Sequence, residues 1–88
     1  MVKARGFSMM IGEAVRKRIL QLCKERNFSI NKLCMICGLT QSTVNNIVSG
    51  RNNSVTISTI KKICDGLEIS VLDFFDSELF RDLEQEVR

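Results

Sequence analysis

Three residues, Gly38-Leu39-Thr40, join two short helical patterns and leave the chain almost no room to choose how those helices meet. The first pattern opens at Ser29, a hydroxyl N-cap, and runs to Ile36 or Cys37 with Ile30, Leu33, Cys34 and Cys37 inward. Gly38 ends it, because glycine adopts the left-handed conformation that closes a helix. Thr40 then caps the second, which stops at Gly50 and carries Val44, Ile47 and Val48 at i, i+3 and i+4 as its seat on a core.

Similar punctuation extends in both directions. Upstream, Ile11, Val15, Ile19, Leu22 and Cys23 recur every three or four residues and predict a helix from Ile11 to about Arg26. Downstream, a polar loop from Arg51 to Val55 leads to Thr56, the cap of a helix carrying Ile57, Ile60, Ile63, Cys64 and Leu67, with Gly66 near its end. Ser70 and Asp73 form a capping box that opens a fifth short helix through Phe74 and Phe75. A tail with Leu79, Phe80, Leu83 and Val87 opposite Glu78, Asp82, Glu84 and Glu86 predicts a further helical turn or two. No strand pattern or repeat is visible, so the fold class is all-α. The divisions expected are a flexible basic arm over 1–9, with Met9 or Met10 as alternative starts, a helical domain over 10–76, and an acidic amphipathic extension over 77–88. Eighty-eight residues leave no room for a second domain.

Composition excludes several functions. The chain has no His, which removes Ser-His-Asp and Cys-His hydrolase sites and every His-containing zinc site. The longest strictly apolar runs, such as Leu33 to Cys37, fall far short of the ~18 residues of a membrane span, and the first ten residues lack a signal-peptide core. A cytoplasmic protein is expected. Cys23, Cys34, Cys37 and Cys64 include a C-x-x-C, yet all lie within apolar helical patterns and read as small core residues. No metal, redox cofactor or disulfide is expected.

The net charge of +3 conceals a division. Residues 1–62 hold eleven Lys/Arg against Glu13 and Glu25, whereas residues 63–88 hold two Arg against eight acids. The basic part points to a polyanion. Within it, Gln41, Ser42, Asn45, Asn46 and Ser49 cover the outer face of the third helix with amides and hydroxyls and no charge. A merely solvated face favours Glu, Lys or Ala, since Ser and Asn compete with the backbone for hydrogen bonds. Neutral donor-acceptor side chains suit base edges, where Asn and Gln pair bidentately with adenine.

The run from Ser29 to Arg51, SINKLCMICGLTQSTVNNIVSGR, resembles the helix-turn-helix of the lambda repressor/Cro-like (Xre) transcription regulators. The resemblance extends from about Ile11 through the Thr56 helix to the Ser70–Phe75 segment, roughly three quarters of the chain. It implies a compact five-helix bundle with a short C-terminal helical extension, whose third helix enters the DNA major groove. Carried over residue by residue, Thr40, Gln41, Ser42, Thr43, Asn45 and Asn46 would face bases. Ser29, at the positive end of its helix, and Lys32, Ser49, Arg51 and Asn52, around the third helix, are the phosphate-contact candidates. Arg16, Lys17 and Arg18 would face away. Ile30 stands where the family often has a phosphate-bonding Gln, and Cys34 takes the place of its small helix-2 residue.

A sequence-specific, double-stranded DNA-binding regulator, a repressor without catalysis or cofactor, is the expectation. One helix-turn-helix reads only a few base pairs, so a homodimer on a pseudo-palindromic site is expected, with Phe75, Leu79, Phe80 and Leu83 of the acidic tail building its interface. Alternatives are an antitoxin whose tail binds a toxin, a protein-interaction module, and a redox enzyme built on Cys34 and Cys37.

Overall fold

The computed structural model describes residues 9–49 and 55–85. Five helices follow one another: α1 (Ile11–Glu25), α2 (Ile30–Cys37), α3 (Gln41–Ser49), α4 (Ile57–Leu67) and α5 (Val71–Phe75), followed by a single 3-10 turn, Glu78–Phe80. The expected caps all form. Ser29 Oγ accepts from the Lys32 N–H at 3.0 Å, Thr40 Oγ1 from Thr43 at 3.1 Å, Thr56 Oγ1 from Thr59 at 3.1 Å and Ser70 Oγ from Asp73 at 2.9 Å. Each satisfies one of the N–H groups that a helix start leaves without an intrahelical partner.

The stops of α2 and α4 are set by left-handed residues. Gly38 (φ 70°) ends α2, and the Leu39 N–H returns to the Cys34 carbonyl at 3.1 Å. At the end of α4 the left-handed residue is Glu68 (φ 60°), not Gly66. Gly66 serves a different purpose. A Cβ there would press into Cys37 Sγ and stand 3.2 Å from both Cys37 Cα and Ile36 Cγ2, so the glycine lets α4 approach the end of α2 closely.

One core joins all five helices: Val15, Ile19, Leu22 and Cys23 of α1, Leu33 and Cys37 of α2, Leu39 of the turn, Val44 and Ile47 of α3, Ile60, Ile63, Cys64 and Leu67 of α4, and Phe74 of α5. Three apolar positions depart from the helical pattern. Ile11 and Ile57, at the first positions of α1 and α4, are 45% and 75% exposed, and Val48 is 41% exposed, so α3 sits on Val44 and Ile47 without it.

After α5 the tail forms one 3-10 turn, within the further helical turn or two that its pattern predicts, and this turn packs on α1. Met9, assigned to the arm, makes a parallel bridge with Leu83, its carbonyl accepting from the Glu84 N–H at 2.9 Å. These contacts carry the chain after residue 76 back along the bundle as far as Glu84. Arg18 reaches across to α5. Its Nε donates to the Phe74 carbonyl at 2.6 Å and its Nη2 to the Asp73 carbonyl at 2.8 Å, fastening α5 to α1 where the negative end of a helix favours a cation. Arg16 pairs instead with Glu13 at 2.9 Å, with Lys17 4.0 Å from the same carboxylate.

Candidate nucleic-acid interface

The Gly38-Leu39-Thr40 turn fixes the pose of α3. Leu39 is buried, and Cys34 Sγ donates to its carbonyl at 2.7 Å, so the last turn of α2 and the connection are bound together. From this seat α3 buries Val44 and Ile47 and turns Gln41, Ser42, Asn45, Asn46 and Ser49 to the outside, with Thr43 half-buried. Neighbouring groups on this face are paired at helical spacing. Gln41 Nε2 donates to Asn45 Oδ1 at 3.2 Å, Thr40 Oγ1 to Thr43 Oγ1 at 2.9 Å, and Ser49 Oγ to the Asn46 carbonyl at 3.3 Å. Asn45, Asn46, Val48 and Ser49 line a shallow hollow. Six of the predicted site residues, Thr40, Gln41, Ser42, Asn45, Asn46 and Ser49, thus lie exposed together on one short helix and its cap.

The surrounding electrostatics follow from the helix starts. In α2, α3 and α4 the first turn holds no acidic residue and the cap is a neutral hydroxyl, whereas Glu13, Asp73 and Glu78 occupy the first turns of α1, α5 and the 3-10 turn. No carboxylate occurs anywhere from Arg26 to Cys64. No acidic side chain within the first turns of α2, α3 and α4 offsets the partial positive charge there, which suits these helix starts to a polyanion.

The remaining predicted contacts are less clustered. Ser29 is exposed at the start of α2. Lys32 is exposed with its Nζ 5.3 Å from the Phe28 ring centroid, and helical spacing puts it on the side of α2 that carries Met35 and Ile36. Arg51 and Asn52 lie outside the described residues. The tail aromatics pack within their own chain: Phe75 and Phe80 meet edge to face at 4.8 Å, and Phe74 and Phe75 at 5.0 Å. Phe75, Leu79, Phe80 and Leu83 are each half-buried, so each keeps part of its surface open. Among the described residues the most exposed large apolar side chains are Leu72, Met35 and Ile57, of which the sequence pattern had placed Ile57 with the core positions of α4.

The C-x-x-C pair does not converge. Cys34 Sγ binds the Leu39 carbonyl, while Cys37 Sγ faces the Ile63 carbonyl of α4 at 3.8 Å. Burial pushes the thiols of Cys23, Cys37 and Cys64 above their ordinary value, the opposite of the shift that makes a cysteine reactive. Among the described residues no cluster of Cys, Asp or Glu is arranged to hold a metal ion, and no helix is long and apolar enough to cross a membrane.

Known proteins share this architecture. The chain is similar to the crystal structure of prophage Lp1 protein 11, with 40% identity, coverage of 85% of this chain and 99% of that one, and a TM-score of 0.75. It is also similar to an HTH_3 family transcriptional regulator from Vibrio cholerae, with 28% identity over 77% of this chain and 38% of that chain, and a TM-score of 0.68. No curated protein matches. The pattern of the Cro/C1-type HTH DNA-binding domain spans residues 18–78, from the middle of α1 to the 3-10 turn, and with that match over most of the helices the chain belongs to the Cro/C1-type helix-turn-helix DNA-binding domain family.

Proposed function

We propose that the protein is a sequence-specific transcription repressor that binds double-stranded DNA as a homodimer and works by occupancy, without catalysis or cofactor. The observation that carries this reading is the uncharged amide and hydroxyl face of α3, held outward by Val44, Ile47 and Leu39. In the major groove Gln41, Ser42, Asn45 and Asn46 meet base edges, with Thr40 and Thr43 at the entering end of the helix. Ser29 at the start of α2, Ser49, and Arg51 with Asn52 in the loop after α3 meet phosphates, as does Lys32 at the margin. The eight acids that follow residue 62 repel DNA and keep the α5 end away from the duplex.

Selection of bound duplexes from a random-sequence pool by the intact chain, followed by titration of a recovered duplex at several salt concentrations, tests this. A shared sequence should emerge, and log K should fall steeply and linearly with log salt, since each phosphate neutralised contributes about −0.9 to the slope on duplex DNA. A flat salt dependence, or recovered sequences no different from the starting pool, would refute it.

A further inference from the structure

The polar face of α3 is restricted in what it can offer a base. Across Gln41–Ser49 no side chain carries a charge, and no carboxylate occurs from Arg26 to Cys64. Bidentate reading of guanine takes two donors aimed at O6 and N7, which Arg or Lys supplies, and the amino group of cytosine is met by Asp or Glu. Neither kind of side chain stands on this helix. A carboxamide carries a donor and an acceptor side by side, and adenine is the base whose groove edge matches it, with N7 as acceptor and an N6 hydrogen as donor.

One of these amides is also held in a set orientation. Gln41 Nε2 donates to Asn45 Oδ1 at 3.2 Å, both residues being exposed. That bond takes one of the two Nε2 hydrogens and leaves the other beside Oε1, so Gln41 keeps a complete donor and acceptor edge. It also fixes which way the edge reads, because a flipped Gln41 amide would set oxygen against oxygen. A braced side chain has less rotamer freedom to lose on binding. Asn45 acts on this edge by positioning it.

We infer that Gln41, braced by Asn45, makes binding depend on an adenine whose N6 carries no methyl group, so that duplex methylated at that N6 is a poor ligand and adenine methylation regulates occupancy of the site. In a base pair one N6 hydrogen is held by thymine and the other faces the major groove. A methyl group that leaves the pair intact takes the groove-facing place. It removes the hydrogen that Gln41 Oε1 accepts and sets an apolar group against that oxygen, which is then desolvated without a donor. The Asn45 bond opposes the turn of the amide that would relieve this contact. The inference rests on the DNA reading above and adds to it the base that is read and the modification that is refused.

Duplexes built on a sequence recovered by selection, with N6-methyladenine replacing each adenine in turn, test this by titration with the intact chain. At the adenine that faces Gln41 the affinity should fall roughly tenfold or more, as loss of a bidentate pair implies. Adenine lacking N7 (7-deazaadenine) at the same position should weaken binding comparably, which probes both atoms of the edge with the parent protein. Gln41→Ala should bind the methylated and unmethylated duplexes alike. Asn45→Ala should narrow the difference between them at an unchanged unfolding temperature, whereas a merely structural Asn45 would lower affinity for both equally. Equal binding with every adenine methylated in turn, or a methylation penalty that Gln41→Ala retains in full, overturns the inference and leaves the DNA reading standing. A recovered sequence made of G·C pairs alone does the same. A pool that yields no shared sequence refutes the DNA reading and this inference together.

Discussion

Replacing Gly66 with alanine opposes two effects whose balance the structure decides. In a helix interior, Gly→Ala normally stabilises by about 1 kcal/mol. Gly66 lies inside α4, one residue before its end, so propensity alone predicts a gain. The added Cβ, however, meets Cys37 Sγ inside van der Waals range and stands 3.2 Å from Cys37 Cα, which is backbone and cannot rotate away. Forcing a methyl group into such a contact costs about 1–3 kcal/mol. The clash outweighs propensity, and Gly66→Ala is expected to destabilise by about 1 kcal/mol net, lowering the unfolding temperature by about 4–8 °C for a domain of this size. Cys37→Ala removes the nearest clashing atom and, by itself, leaves a small void costing about 1 kcal/mol. In that background the Gly66→Ala methyl enters the vacated space, so the double variant should be more stable than the sum of the singles by about 1–2 kcal/mol. Thermal and urea unfolding of the four proteins measure this coupling. A stabilised Gly66→Ala variant, or a coupling below about 0.5 kcal/mol, the scatter expected of independent sites, would refute the close-approach role of the glycine.

Arg18→Met removes two charge-assisted bonds to the Phe74 and Asp73 carbonyls and should cost about 1–3 kcal/mol in urea unfolding; an unchanged midpoint would show that α5 is held by Phe74 alone. Gln41→Ala and Asn46→Ala should each lower affinity for the selected site by about 1–3 kcal/mol while leaving non-specific binding and unfolding temperature nearly unchanged, and loss of fold in either would show that the face is structural. Arg51→Ala should weaken binding to all duplexes comparably and reduce the magnitude of the salt slope by about 1, in contrast to a base contact. At high pH the buried thiols should destabilise the fold. Burial raises Cys23, Cys37 and Cys64 above 9.0, so the unfolded chain ionises first, and stability that is complete below pH 9 declines as pH rises through the folded values. Cys64→Val should flatten this decline in melts taken at successive pH values, and a decline identical to the parent's would assign it to other groups.

Local chemistry made the helices legible. Ser29, Thr40, Thr56 and Ser70 act on N–H groups three residues away, and Gly38 acts on its own φ, so sequence spacing alone identifies them. What escaped was decided at long range. Gly66 reads only as a residue near a helix end until α2 is seen against it, and nothing in the sequence shows that α5, more than fifty residues after Arg18, brings two carbonyls to its guanidinium. The tail's pattern predicts its helical turn but not its partners, as Phe80 finds Phe75 and Phe74 after one 3-10 turn and the chain then bridges back to Met9. Tertiary packing overrides weak local preference in so short a segment.

The candidate site was legible for a related reason: its residues are poor choices for anything else. Measured against alanine, the Gln, Ser, Thr, Asn, Val and Ile side chains of α3 lose about 0.5 kcal/mol each in helix propensity, on the order of 4–5 kcal/mol over nine residues. Leu39, Val44 and Ile47 return about 1.5–3 kcal/mol apiece on burial, enough to hold α3 in place but with little surplus. A helix so balanced depends on its supports. The Cys34 bond to Leu39 fixes its entry, and the close seam between Gly66 and Cys37 fixes the end of α2 from which it hangs. Stability of the polar face thus resides in residues that never touch it, which is why truncating Gln41 or Asn46 and loosening Gly66 should separate cleanly, the first pair changing which DNA is bound and the second how firmly the reading helix is held.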